Sequence, residues 1–488
     1  MPDVSRAFPH FLKSTDLKRI LLVNIQIYGT TQRNKRDLEL GAFRPGTVPL
    51  SWLAVMTNPG APPDSEETPP LAPMHDAYAV LRNRDFLLYL IGRFVASLGQ
   101  QMLTVAVGWE LYDRTHSALA LGMVGLTQMA PMILFTLPAG HLADNYDRKR
   151  IIVLMTLVIG CASLGLTLIS WLNADVFWIY LCLFTAGTAR TFLWPASSAF
   201  LPHLVSRQNF SKAVTWSSGS FHLSSVAGPA AGGALIALTH HAAAVYATNT
   251  VAALVCLTLI SFVRRHQVIA SKEKMTSGSL IAGFKFVFAS RIILGIITLD
   301  MFAVLLGGAT TLLPVYARDI LNVGPIGLGF LQAALPAGSL LCALILAHRP
   351  PLQKAGRALL WAVAAFGAAT VVFGISRWSW LSLLMLFVCG AVDNISVVVR
   401  HTLVQMLTPD GKRGRVSAVN SLFIGTSNEL GGFESGFVAH LFGPAMGNAI
   451  ATGAMISVVS GGVGTILVVI AVAVFWPEIR KYGRLDAG

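Results

Sequence analysis

The chain has 488 residues, 54% of them hydrophobic and only 12% charged, with a formal charge of +13. Soluble domains carry about 25% charged residues, so this composition, with a mean hydropathy of +0.64, excludes an ordinary water-soluble globule. The five cysteines (Cys161, Cys182, Cys256, Cys342 and Cys389) lie inside apolar runs with no CxxC pair. That spacing excludes a disulfide framework or a cysteine metal site and reads as packing.

Residues 1–75 lack any apolar run long enough to span a bilayer, and Asn58 to Pro73 is rich in Pro, Asp and Glu. Such a segment is expected to be a disordered cytoplasmic extension, or the product of a start site set too early, with Met56 or Met74 as the true beginning. It shows no basic region followed by an apolar stretch and a small-residue cleavage site, so it is not expected to be a signal peptide. From Phe86 onward apolar runs recur between short polar loops. At 1.5 Å per residue, ~20 residues cross a ~30 Å hydrocarbon core. Twelve spans are predicted near 86–110, 119–140, 150–171, 176–203, 213–238, 244–263, 291–317, 325–347, 356–376, 379–407, 416–440 and 449–475. The fold class is therefore an all-α membrane protein.

Charge sets the orientation. The even-numbered connections and the C-terminal tail carry twenty Lys and Arg, whereas the odd-numbered connections carry only Arg114, Arg318 and Arg377. Cationic loops stay in the cytoplasm, which is expected to hold both termini. This orientation also accounts for the positive charge without a nucleic-acid partner. The basic connection 264–290 divides the chain into six-span bundles, 76–263 and 291–476, followed by a cytoplasmic tail, 477–488. Within that linker, Leu280 to Ala289 is predicted to form a short amphipathic helix on the membrane surface. The halves echo each other: Leu183-Phe184-x-x-Gly187 in span 4 recurs as Leu386-Phe387-x-x-Gly390 in span 10.

Between spans 2 and 3 runs Gly140-His-Leu-Ala-Asp144-Asn-Tyr-Asp147-Arg148-Lys149-Arg150. The positive-inside rule explains its cations but not Gly140 and Asp144 at this spacing. Span 5 carries Gly228-Pro229-Ala-Ala-Gly232-Gly233, where small residues allow close helix approach and Pro bends the helix. The first pattern resembles the loop between helices 2 and 3 of the major facilitator superfamily, and the second its span-5 antiporter motif. Phrases such as Leu81-Arg-Asn-Arg-Asp-Phe86 and Glu429-Leu-Gly-Gly-Phe-Glu-Ser-Gly436 resemble the branch containing the enterobactin exporter and macrolide-efflux proteins. Asp147 departs from that superfamily, which usually has Gly there.

The resemblance implies two pseudo-symmetric halves around a central cavity lined by helices 1, 4, 7 and 10. It also implies a gating loop formed by Gly140, Asp144, Arg148 and Lys149. Ionisable and amide side chains inside spans are costly and mark candidate proton or substrate sites: Arg190, Asp300, Asp393, Arg400, Gln100, Gln101, Glu429 and Glu434. Arg190 is expected to pair with Asp300 or Asp393, and Asp393 with Arg400 two turns along its helix. Gln128 and Gln332 are further polar residues within spans.

No phosphate loop, zinc helix or nucleophile elbow occurs in the sequence. The resemblance then implies a non-enzymatic secondary transporter needing no cofactor. It would exchange protons for a siderophore or an amphipathic drug-like molecule, as a monomer in the inner membrane of a bacterium. The alternatives are an ion-coupled importer of a small metabolite and, more remotely, a receptor or enzyme on a transporter scaffold.

Overall fold

The structure, a computed structural model, describes residues 78–264, 285–350, 354–409, 412–481 and 483. All of these lie in one unit, Asp76–Gly488, distinct from Met1–His75. The predicted extension at 1–75, and the predicted surface helix up to residue 284, fall outside the described residues. Residues 285–289 are helical, with Val287 buried and Lys412 Nζ 4.8 Å from the Phe286 ring centroid.

No strand occurs among the described residues. The first six long helices are α1 (Arg84–Thr115), α2 (Ala118–Asn145), α3 (Arg148–Trp171), α4 (Val176–Leu204), α5 (Phe210–Thr239) and α6 (Ala243–Ser261). The second six are α7 (Arg291–Leu306), α8 (Gly324–Ala347), α9 (Ala355–Ile375), α10 (Ser379–Leu407), α11 (Arg413–Phe442) and α12 (Ile450–Phe475). Local chemistry sets several starts. The side chains of Asn83, Ser117, Asp147 and Asp175 accept backbone N–H bonds at the heads of α1 to α4, satisfying donors the helix cannot pair itself. Asp147 thus does something a glycine there could not: its Oδ1 accepts from Lys149 N at 2.9 Å.

Two elements depart from expectation. The seventh span is not one helix: α7 stops at Leu306, then a 3-10 turn (Ala309–Leu312), a short turn (Leu313–Val315) and a π-helical turn (Tyr316–Ile320) complete the crossing. Gly307-Gly308 and Pro314, which lacks an N–H, break the ladder. The tail, expected only to be cytoplasmic, is partly helical. A short helix, α13 (Pro477–Lys481), buries Ile479, and Glu478 lies 3.7 Å from Arg291 at the head of α7.

Among the described residues, eleven helices are long and apolar enough to cross a membrane. The twelfth, α11, falls short of that apolarity because Asn420, Asn428, Glu429 and Glu434 interrupt it. Its place is secured by partners: α11 packs on α2 just as α5 packs on α8, so each half lends one helix to the other. Both contacts run through small residues. A Cβ added at Gly436 would lie 2.7 Å from Gly122 Cα, and one at Gly232 would lie 2.9 Å from Met102 Cα on α1. A Cβ at Gly233 would fall on the Pro325 carbonyl of α8. Gly233→Leu is therefore expected to push α5 off α8 and cost roughly 1–3 kcal/mol by overpacking. A lower melting temperature in detergent would report this, and an unchanged one would deny the tight contact.

The apolar core is distributed unevenly. One buried cluster runs through both halves at the end holding Tyr112 and Tyr316, joining Leu111, Leu313, Leu328 and Phe373. At the opposite end, near the 140–150 loop, each half keeps its own cluster, one around Phe86, Ile152 and Phe200 and the other around Ile296, Leu359 and Leu403. Among the described residues, the halves share an apolar cluster at one end only.

Candidate functional site

Beneath the fused end lies a cavity of about 400 Å³. Its walls come from α1, α2, α4 and α5 on one side, and from the broken end of α7, α8 and α11 on the other. Above it, two bonds join the halves: Tyr112 Oη donates to Asp319, and Arg318 forms an ion pair with Asp113. These four residues carry no sequence signal beyond charge and ring chemistry near helix ends, and the sequence did not point to any of them as a link between the halves.

Among the described residues, two charges line the cavity, Arg190 from α4 and Glu429 from α11. One comes from each half, near enough to attract each other but not in ion-pair contact. The Arg190 guanidinium donates to Gln128 on α2, and its Nε is buried with no partner among the described residues. Gln101 Nε2 donates to Ser225 Oγ on α5 at 3.0 Å. Gln100 and Gln332 line the cavity from opposite halves, and neither amide bonds to a described residue. Thr310, Thr311 and Asn428 complete the polar lining. The threonines reach it because α7 is broken there, a feature unread in the sequence.

Several predicted candidates are elsewhere. Arg190 does not pair with Asp300 or Asp393. Asp300 instead pairs with Arg400 of α10, their side chains only 6% and 5% exposed. Asp300 sits about ten residues before Thr310, so ~15 Å separates it from the cavity level along the helix. Asp393 does not pair with Arg400 either: seven residues are two turns, ~10 Å along the axis, too far for contact. Asp393 has no hydrogen bond or ion pair with a described residue and does not line the cavity.

More generally, α10 contributes nothing to the described lining, contrary to the expectation that helices 1, 4, 7 and 10 form it. The packing explains this. A Cβ at Gly390 would fall on the Leu335 carbonyl, so α10 stands behind the part of α8 that faces the cavity. Gly187, its counterpart in the repeat, meets Pro131 of α2, so the echoed residues perform the same packing in both halves. Glu434 bonds to Ser435 Oγ at 3.4 Å, outside the cavity.

Within the 140–150 loop, the cations serve their own half. Lys149 Nζ donates to the Ser261 and Val263 carbonyls at 2.8 and 2.7 Å, capping the end of α6. Arg148 donates to the Ala143 and Ala199 carbonyls at 3.0 and 3.1 Å. Asp144 is exposed, without a hydrogen bond or ion pair to a described residue, and open space surrounds Gly140. Of the span-5 motif, Gly228 and Gly232 abut α1, Gly233 abuts α8, and Pro229 lines the cavity.

Residues 75–473 match the family described as "Transmembrane secretion effector". The chain is 26% identical over 398 residues to the enterobactin exporter EntS of Shigella boydii serotype 18, covering 81% of this chain and 93% of that one. It is equally similar, 26% over 403 residues, to EntS of Escherichia coli O1:K1, with the same coverage. Among solved structures, a POT family transporter in complex with a thioalcohol-conjugated peptide superposes with TM-score 0.65 at 12% identity, covering 81% of this chain and 96% of that one. A bacterial homologue of the human lysosomal transporter Spinster, inward-facing and occupied, superposes with TM-score 0.63 at 14% identity, covering 82% and 97%. The matched family, the paired six-helix halves and the cavity between them lead to one conclusion: this chain is a multi-pass membrane transporter of the major facilitator superfamily and belongs to its transmembrane secretion effector family.

Proposed function

We propose that the protein is a proton-coupled exporter, working by alternating access and exchanging external protons for a small-molecule substrate held in the 400 Å³ cavity. The observation that carries this reading is the Arg190 and Glu429 pair, one charge from each half, facing the same cavity. A substrate anion and Glu429 compete for one guanidinium. Either ligand releases the link between the halves, the anion by taking Arg190 and the proton by neutralising Glu429, so the substrate-loaded carrier turns outward and the protonated carrier returns. Export, rather than import, is supported by the likeness to enterobactin exporters and by the span-5 motif.

The cationic loops support a cytoplasmic 140–150 end, with both termini on that side of a bacterial inner membrane. With the halves fused at the other end, this conformation faces inward. Asp144 is then the residue that docks on the opposite half when the cytoplasmic end closes. Its exposure here, with no partner among the described residues, suits a contact made only in the other state.

Everted vesicles carrying the protein test the reading. Imposing an acid-inside gradient is expected to drive accumulation of at least one member of a labelled panel of hydroxy acids, catecholates and dyes, and collapsing the gradient to stop it. Accumulation in right-side-out vesicles instead would reverse the direction proposed. In the same assay, Asp144→Asn is expected to slow turnover several-fold with normal membrane insertion. Undiminished turnover would remove the docking role.

A further inference from the structure

Three features of the cavity wall bear on what it accepts. First, not one aromatic ring is among the described residues that line it. Planar aromatic cations are held by stacking and by the negative faces of rings, and this wall offers neither. Second, the apolar part consists of Leu, Val and Pro side chains, with a belt of carboxamides, Gln100, Gln101, Gln128, Gln332 and Asn428, set into it. Gln100 and Gln332 make no hydrogen bond to a described residue, so each presents a free donor and a free acceptor, one from each half. Third, the one cation among the described residues of the wall, Arg190, spends one N–H on Gln128 and keeps Nε buried with no described partner. A buried guanidinium N–H without an acceptor is costly, and an entering anion supplies one.

The structure assigns this site, we infer, to a non-aromatic carboxylate bearing hydroxyl or amide groups, with the carboxylate on Arg190 and the polar chain between Gln100 and Gln332. The inference deepens the transport reading above and rests on the cavity being the transport site. A volume of about 400 Å³ is toward the small end of ligand pockets, which fits one such molecule. Among the described residues one carboxylate, Glu429, lines the cavity, and it attracts Arg190 without an ion pair. A cationic ligand would have to displace that guanidinium and remain beside it. An anion instead replaces Glu429 at Arg190, and planar guanidinium–carboxylate geometry rewards it. A site built of hydrogen-bonding amides also rejects ligands that leave those amides unpaired.

The test is ligand-induced thermal stabilisation of the full chain in nanodiscs with two matched probe pairs, pantothenate against pantothenol and gluconate against sorbitol. Ethidium and berberine serve as planar aromatic cations. Each carboxylate is expected to half-saturate at a concentration roughly 10- to 100-fold below its alcohol, the difference a charge-assisted bond makes. The aromatic cations are expected to give no shift. Arg190→Gln should erase the gap between acid and alcohol, while Gln332→Leu should weaken acid and alcohol alike. If Arg190→Gln does not fold, Glu429→Gln reads the same contact with opposite sign, because removing the competitor tightens the acid. Larger shifts with the aromatic cations than with both carboxylates would overturn the inference. So would the absence of an acid–alcohol gap, or a gap that survives Arg190→Gln. Binding in nanodiscs needs no gradient and no direction, so failure here and failure of proton-driven export in vesicles are separate results.

Discussion

Replacing Asp300 with Ala is expected to cost about 3–5 kcal/mol, because it leaves the Arg400 guanidinium buried without its counter-charge. The two side chains are 6% and 5% exposed and join α7 to α10 within the second half. Arg400 Nε has no further partner among the described residues, so the pair has little hydrogen-bonded support when broken. Detergent melting should show a fall of many degrees and a loss of folded yield. The double replacement Asp300→Leu with Arg400→Leu removes both charges and is expected to recover much of that loss, since well-packed apolar residues often match a buried ion pair. Transport per folded molecule should be retained in the double variant. If it folds but no longer couples to the proton gradient, Asp300 is the proton carrier and the assignment to Glu429 is wrong.

Glu429→Gln is expected to have the largest functional effect. Glutamine keeps the shape and hydrogen-bonding atoms of the side chain but cannot gain or lose a charge with a proton. Arg190 then has no anionic competitor within the cavity wall. Gradient-driven accumulation in everted vesicles should fall to background. Downhill exchange of an anionic substrate should continue, half-saturating at a concentration roughly tenfold lower, about the worth of one charge-assisted contact. Arg190→Gln, by contrast, should remove both drive and exchange, because the anion loses its partner. Normal pumping by Glu429→Gln would place the proton elsewhere, with Asp393 the next carboxylate to examine.

The spans were legible because lipid makes them so: every backbone group must bond within its own helix, and apolar length announces it. Most helix ends fell within a few residues of those expected, α10 at 379–407 and α12 at 450–475 among them. The break in α7 was signposted by Gly307-Gly308 and Pro314, yet Pro131, Pro138 and Pro336 sit inside unbroken helices. A proline alone therefore does not decide. The ion pairs were not legible. Choosing between Asp300 and Asp393 as a partner depends on how each helix is rotated and how far along its axis each residue lies. Both are settled by packing between helices, through contacts such as Gly390 against Leu335. The cavity lining failed to follow the expected helix set for the same reason, although Arg190, Gln100, Gln101 and Glu429, singled out by their chemistry, all line it.

The polarity of α11 has a consequence for how the chain enters the membrane. A helix inserted from the translocon partitions into lipid by its own side chains, and ionised residues near the centre each oppose that step by ~2.5–3.5 kcal/mol. With Glu429, Glu434, Asn420 and Asn428 along its length, α11 is a poor solitary passenger. Its neighbour in the chain, α12, carries no charged residue from Ile450 to Phe475. The two therefore enter best as a hairpin, and α11 then exchanges lipid for the small-residue face of α2. A ribosome halted after residue 442 would leave α11 waiting at the lateral gate. α12 is thus also the escort of the helix that carries Glu429, the carboxylate proposed above as the proton site.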